Sequence, residues 1–339
     1  MAAIKEIKPD ARILIVDLAF IGDILMSTPA YVNVRRAFPD AFIDILVAPG
    51  SRPVIENSNL FNRIWTTGMK TGGWRSVRQE SGLTRAECYD VAVCFHRGHG
   101  SLLMLWLAGV PERVGFTNQG RWVFLTRGIP FRLECHRTWN HLKLLEKCLP
   151  MKVDYTVPTF MNLDGESETR IDALIKVYSK GKELIAINPN AAWPTKRWTL
   201  EGFARVADGV AEMGYLPVLV GGPSEKEISG EVIRNSKAEV WDLTGETTLQ
   251  DLAVLLSRSK VVVSNDSGPM HMANAVGTPV VPIFGPTDPG RCGPWLGKVE
   301  PIQAKIDCSK CYKKQCTHMT CMRKIEPSDV LDSIQACIR

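Results

Sequence analysis

No apolar run in this 339-residue chain approaches the roughly 18 residues of a bilayer span. The longest, Leu102 to Val110, stops at Pro111. Charge of one sign is also scarce: the net charge of +5 is too small to argue for nucleic acid but permits a local basic face. Lys5, Glu6, Lys8 and Asp10 precede the first apolar run and Asp17 breaks it, so no signal peptide is read and the chain is expected to stay in the cytoplasm. Solenoid-type repeats and low-complexity segments are missing too. What remains is an ordinary globular composition, 45% hydrophobic and 23% charged, long enough for two domains.

Val261 to Pro289 organises the rest. Val261 to Val263 read as a buried strand, ended by the polar run Ser264-Asn265-Asp266-Ser267-Gly268. Pro269 fits the first turn of a helix over Met270 to Val276, with Gly277 as its C-terminal cap and Val280 to Phe284 as the next parallel strand. In such a unit the first helical amides are free and partly positive, so Ser267-Gly268 is a ready seat for a phosphate. His271 on the first turn can donate to a phosphate oxygen, and Asp266 can accept from a ribose hydroxyl. Read blandly, Asp266 and Ser267 are helix caps and His271 a packed histidine. A second polar turn, Phe284 to Pro289, at the same end of the adjacent strand makes a crevice of the kind where open α/β sheets bind ligands.

Earlier in the chain, Arg12 to Leu18 reads as a strand, followed by Ala19 to Asp23 and a helix to about Phe38 that starts or kinks at Thr28-Pro29. Strands are read at Phe42 to Ala48, Ile64 to Thr66 and Tyr89 to Phe95; Leu102 to Ala108 is a buried helix, and Arg113 to Phe116 returns to the sheet. Strand order restarts at Leu184 to Asn188, with further strands at Tyr215 to Gly222 and Val240 to Leu243. Alternation at this spacing predicts an α/β protein of two doubly wound, Rossmann-like parallel-sheet domains facing across a cleft. The boundaries read are 1–165 for the first domain, 166–182 for a linker opened by the polar helix at Asp164 to Arg170, 183–326 for the second domain and 327–339 for a terminal helix.

Six of the ten cysteines are scattered as reduced, buried thiols usually are, but Cys308, Cys311, Cys316 and Cys321 form C-x2-C-x4-C-x4-C. That spacing suits a structural metal, with His318 a competing ligand, and equally suits disulfides or four free thiols.

The stretches DSGPMHMANAVGTPVVPIFGPTDP and ILIVDLAFIGDILMSTPA resemble the signatures of glycosyltransferase family 9, the lipopolysaccharide heptosyltransferases. The resemblance implies a GT-B fold, a terminal helix packed toward the first domain, and a metal-independent inverting transfer. Heptose would pass from ADP-L-glycero-D-manno-heptose to a phosphorylated, lipid-linked inner-core acceptor. It implies no cofactor for catalysis, no nucleic-acid partner, and peripheral contact with the cytoplasmic face of the inner membrane.

Among the residues, Asp23 is read from its place after Gly22 either as a helix-terminal aspartate or as a base, and the resemblance decides for the base. Lys196, before the aromatic Trp198, is implied as the charge beside the leaving diphosphate. Gly22, Glu225, Thr244, Asp266, Ser267, Gly268 and His271 complete the donor set; Gly221-Gly222 and Gly245 lie at strand ends on the same edge. For the acceptor, Arg63, His96, Arg97 and Arg121 are named, with Arg52, Arg127 and Arg137 as further cations for a polyanion. A related enzyme with another nucleotide sugar or glycan acceptor is the alternative, and a non-catalytic nucleotide-binding or redox module is the reading from a different class.

Overall fold

The strand RILIVD, Arg12–Asp17 (β1), is buried on both faces because parallel neighbours flank it and helices cover both sides. The computed structural model describes residues 4–339, the side chains of 69–72 excepted, and divides into two units, Met1–Thr159 and Phe160–Arg339.

In the first unit β1 is followed by α1 (Ile21–Ala37), β2 (Phe42–Val47), β3 (Arg63–Thr66), α2 (Met69–Ala86), β4 (Val91–Cys94), α3 (His99–Ala108), β5 (Glu112–Phe116), β6 (Arg127–Ile129) and α4 (Arg137–Cys148). The six strands are parallel in the order β3-β2-β1-β4-β5-β6. Leu14, Val16, Ala92 and Cys94 pack against Leu102, Met104 and Leu105 of α3, so Ile13 and Ile15 are turned by strand alternation to the opposite face. The chain leaves β1 toward β2 and later returns on its other side as β4. The carboxyl ends of β1 and β4 therefore form a topological switch point, the expected place for a ligand.

Sequence reading left open whether α1 starts or kinks at Pro29; it starts at Ile21 and runs through the proline. Pro29 has no N–H for the carbonyl of Leu25, and the hydroxyl of Thr28 donates to that oxygen at 2.7 Å instead. The side-chain amide of Asn33 then takes the Pro29 carbonyl at 2.8 Å. Strand β6 carries no apolar run and was not foreseen.

The second unit contains α5 (Gly165–Tyr178), β7 (Leu184–Asn188), α6 (Leu200–Glu212), β8 (Leu216–Leu219), α7 (Lys226–Asn235), β9 (Trp241–Asp242), α8 (Leu249–Arg258), β10 (Ser259–Asn265), α9 (Gly268–Ala275), β11 (Val280–Phe284), α10 (Pro289–Cys292), β12 (Ile302–Gln303), α11 (Thr320–Arg323) and α12 (Pro327–Ile338). Its strands are again all parallel, ordered β12-β11-β10-β7-β8-β9, and the switch point lies between β10 and β7. The two-residue β12, too short for any periodicity, is a further strand the sequence did not reveal.

Two boundaries differ from the sequence reading. The segment 166–182, read as a linker, is mostly α5, capped by Asp164 accepting from the Ser167 amide at 2.7 Å and packed on α8 with Ile171 buried. One buried apolar residue suffices in this helix when an ion pair, Arg170 to the buried Asp251, helps to fasten it. The terminal helix α12, expected to pack toward the first domain, belongs to the second unit. It lies on α6 and β10 with Val330 and Ile334 in that unit's core. Among the described residues no helix is long and apolar enough to cross a membrane.

Candidate functional site

Each unit carries a polar constellation at its own switch point. In the first, Asp23 lies on the first turn of α1 at the edge of a cavity of about 280 Å³ lined also by Asp17, Phe20, His96, Arg97, Arg137 and His141. Its carboxylate pairs with the Arg137 guanidinium at 3.1 Å, both side chains about three-quarters buried. His96 follows β4, and its Nδ1 lies 2.6 Å from the hydroxyl of Ser101. Arg97 stacks its guanidinium 4.3 Å over the Phe131 ring.

Arg97 also lines a second cavity of about 470 Å³ with Asn118, Gln119, Arg121, Phe131 and Leu133. Arg121 is buried and donates to the Arg97 carbonyl, while its Nε has no hydrogen-bond partner among the described residues. A buried guanidinium with an unfilled donor suits an anionic ligand.

Beneath Asp23 lies a network that the sequence did not suggest. Asp17, at the end of β1, accepts from Ser27 at 2.7 Å and from Tyr31 at 2.8 Å, and the same Ser27 hydroxyl lies 3.0 Å from His141 Nδ1. Burial pushes the Asp17 carboxyl up from 3.8 to about 6, against the two hydroxyl donors that favour its anion. Burial likewise drives His141 well below its ordinary value, so it stands as a neutral imidazole. Ser27 and His141 are 114 residues apart, and no local pattern joins them.

In the second unit, the turn after β10 places Asp266 with 6% exposure, its Oδ2 accepting from Lys196 Nζ at 2.7 Å and from Thr287 at 2.6 Å. Lys196 also sits 4.7 Å over the Trp193 ring. The loop that carries this lysine is pinned by Trp198, whose amide donates to Asn265 at 3.1 Å and whose indole N–H donates to Ile325 at 3.2 Å from inside the core. Ser267 is the N-cap residue of α9, but its side chain makes no cap bond. It accepts instead from Asn188 at 2.7 Å, which leaves the first amides of the helix at Gly268 open toward the turn.

His271 on the same turn is buried. Glu225 accepts from the Gly222 amide at 2.7 Å, and a Cβ at Gly221 would come within 2.7 Å of Asn190 and 2.9 Å of Glu225. Thr244 is buried beside them and donates to Ser229 at 2.7 Å. Asn190, buried with neither amide atom partnered among the described residues, was not singled out from sequence.

Most of the sequence-chosen residues thus fall into two groups: Gly22, Asp23, His96, Arg97 and Arg121 in the first unit, and Lys196, Glu225, Thr244, Asp266, Ser267, Gly268 and His271 in the second. Arg63 joins neither. It opens β3, at the amino edge of the sheet, where Asp44 pairs with it at 3.0 Å and Glu87 holds it from the other side. Asp266 is no helix cap; it holds the lysine.

The four clustered thiols are free and line a small cavity with Thr195, Pro286 and His318. Among the described residues no three His, Cys, Asp or Glu side chains converge as a metal site requires. Burial and the neighbouring Cys308, Cys311 and Cys316 push the Cys321 thiol up. The cysteine segment braces the loops that carry Lys196 and Thr287: the Lys313 carbonyl accepts from Thr195 at 2.8 Å, and the Tyr312 amide donates to the Pro286 carbonyl at 2.8 Å.

Residues 81–321 match the family model described as glycosyltransferase family 9 (heptosyltransferase). The chain is 25% identical to lipopolysaccharide heptosyltransferase 2 of Escherichia coli K12 over 348 residues, covering 94% of this chain and 98% of that protein. Two solved structures share the fold. The glycosyl transferase family 9 protein of Veillonella parvula DSM 2008 superposes with a TM-score of 0.84 at 23% identity, covering 97% of both chains. The E. coli ADP-heptose lps heptosyltransferase II superposes with a TM-score of 0.81 at 23% identity, covering 96% of this chain and 98% of that one.

Proposed function

Since the chain belongs to glycosyltransferase family 9, the heptosyltransferases, we propose that it transfers a heptose from an ADP-heptose donor to a lipopolysaccharide inner-core acceptor, with inversion and by single displacement. The observation that carries the residue roles is the split of chemistry between the units. A carboxylate facing a cavity with two arginines lies in one, and a lysine held by an aspartate at an open helix N-terminus lies in the other.

In this reading Asp23 takes the proton of the acceptor hydroxyl as its oxygen bonds to the anomeric carbon. The bond from that carbon to the diphosphate breaks, and its electron pair leaves with ADP. Lys196 and the amides at Gly268 stabilise the charge that develops on the diphosphate, with Asp266 holding the lysine in place. Glu225 and Thr244 face the nucleoside, and no metal is called on. The acceptor's anionic groups fit the arginine-lined cavities around Arg97 and Arg121. Residues 1–159 hold six more basic than acidic side chains and residues 160–339 one fewer, consistent with a polyanionic acceptor on the first unit. A lipid-linked acceptor also supports peripheral contact at the cytoplasmic face of the inner membrane.

Incubating the protein with a panel of nucleotide sugars and heptose-deficient lipopolysaccharide, with mass detection of product, tests the assignment. A mass gain of one heptose with ADP-heptose alone is expected. Turnover of a UDP- or GDP-sugar in its place would move the protein to another donor.

A further inference from the structure

Arg137 is the first residue of α4, where the exposed helical amides already carry positive charge and a second cation is electrostatically disfavoured. The residue there nonetheless turns its guanidinium onto Asp23 at 3.1 Å, inside the 280 Å³ cavity. An ion pair at the reacting carboxylate hinders base catalysis, because the guanidinium occupies Asp23 Oδ1 and leaves only the other oxygen to meet the acceptor hydroxyl. Asp17, His96, Arg97 and His141 also face this cavity. Of these Asp17 is committed to Ser27 and Tyr31, and His141 is a buried neutral imidazole. Arg97 and Arg137 are the cations an entering anion meets.

We propose that Arg137 is an acceptor sensor. It holds Asp23 in the ion pair while the acceptor site is empty and releases it when an anionic group of the acceptor, phosphate or carboxylate, takes the guanidinium. This rests on the reading of Asp23 as the base. A phosphate or carboxylate with bidentate geometry and a second arginine, Arg97, beside it outcompetes one quarter-exposed carboxylate for Arg137. The base is thus freed only beside an acceptor of the right charge, and acceptor specificity is coupled to turnover rather than to affinity alone.

The test compares Arg137→Gln, Arg137→Lys and Asp23→Asn on three acceptors: the native acceptor, the same material after phosphatase treatment, and the same material after carboxyl reduction. Wild type should lose roughly ten- to a hundredfold in kcat/KM on whichever treated acceptor lacks the sensed anion, the worth of a charge-assisted hydrogen bond. Arg137→Gln should lose a similar factor on the native acceptor yet turn over that treated acceptor faster than wild type, because its Asp23 is already free. Arg137→Lys should restore much of the native preference. Equal losses of Arg137→Gln and Arg137→Lys on every acceptor would reduce Arg137 to a structural role and overturn the proposal. An Asp23→Asn enzyme with near-normal turnover would remove the base, and the sensor with it; an inactive Asp23→Asn beside an unchanged acceptor preference in Arg137→Gln removes the sensor alone.

Discussion

Lys196 and Asp266 share a hydrogen-bonded ion pair of 2.7 Å at the second unit's switch point, and Thr287 donates to the same carboxylate oxygen at 2.6 Å. The lysine's position is therefore set by the fold itself, as the proposed role beside the diphosphate requires. A preset cation contributes to transition-state stabilisation without reorganising at the moment of reaction.

Removing either partner strands the other. Lys196→Met should cost about 1–3 kcal/mol of stability, because it leaves a carboxylate of 6% exposure without its main partner. Asp266→Asn should weaken ADP-heptose binding while the protein stays folded. In Lys196→Met/Asp266→Asn most of the lost stability should return, which chemical denaturation of all four proteins checks; strictly additive losses would mean the pair is not coupled.

Asp23→Asn should lower kcat by about 10²- to 10⁴-fold, the usual contribution of a general base, and leave ADP-sugar affinity nearly unchanged. Steady-state kinetics at saturating donor and acceptor, with donor binding by calorimetry, separate the two quantities. Near-normal turnover would pass the role to His96 or His99, both beside the end of β4.

The buried Asp17 makes a pH-dependent prediction. Its carboxyl is raised from 3.8 to about 6 in the folded protein, so folding favours its protonated form. That stabilisation is complete below pH 4 and is lost as pH rises through about 6. Asp17→Asn keeps an oxygen for Ser27 and Tyr31 but carries no charge. Relative to wild type it should gain stability between pH 4 and pH 7, by about 2–3 kcal/mol at most for a carboxyl raised from 3.8 to about 6. Denaturant midpoints across that range test this, and a difference independent of pH would contradict it.

Gly221 is a steric requirement of the turn after β8. Gly221→Ala would push a methyl against Asn190 and Glu225 and should cost about 1–3 kcal/mol, with weaker protection by ADP in a thermal-shift assay. Gly165→Ala is the control, since nothing lies within 4 Å of its added carbon at the start of α5. It should be neutral or stabilising by about 0.4–1 kcal/mol. Equal melting shifts in both would show that the Gly221 contact is slack.

Local rules settled much of this protein. Short apolar runs bounded by polar turns located β7, β10 and β11, and Gly277 ends the α9 segment at a φ of +84°, where glycine is strain-free. The same reading placed Asp23, Lys196 and Asp266 in the segments that follow strands, because a parallel sheet presents those segments at one edge. Other features depend on partners distant in sequence. Thr28 in place of a lost backbone donor was within reach of the sequence, since both groups lie on one turn. The Asp17–Ser27–His141 chain and the Asp23–Arg137 pair were not, since α1 and α4 meet only when both pack on the first sheet. Arg63 shows the converse: an arginine chosen for its charge is neutralised by Asp44 and Glu87, which only strand register and a neighbouring helix end bring to it. Pattern fixes which residues stand at an edge or in a core, because that depends on backbone periods of 2 and 3.6. Which charge meets which is decided by packing between elements, where long-range contacts carry the energy and leave no local trace.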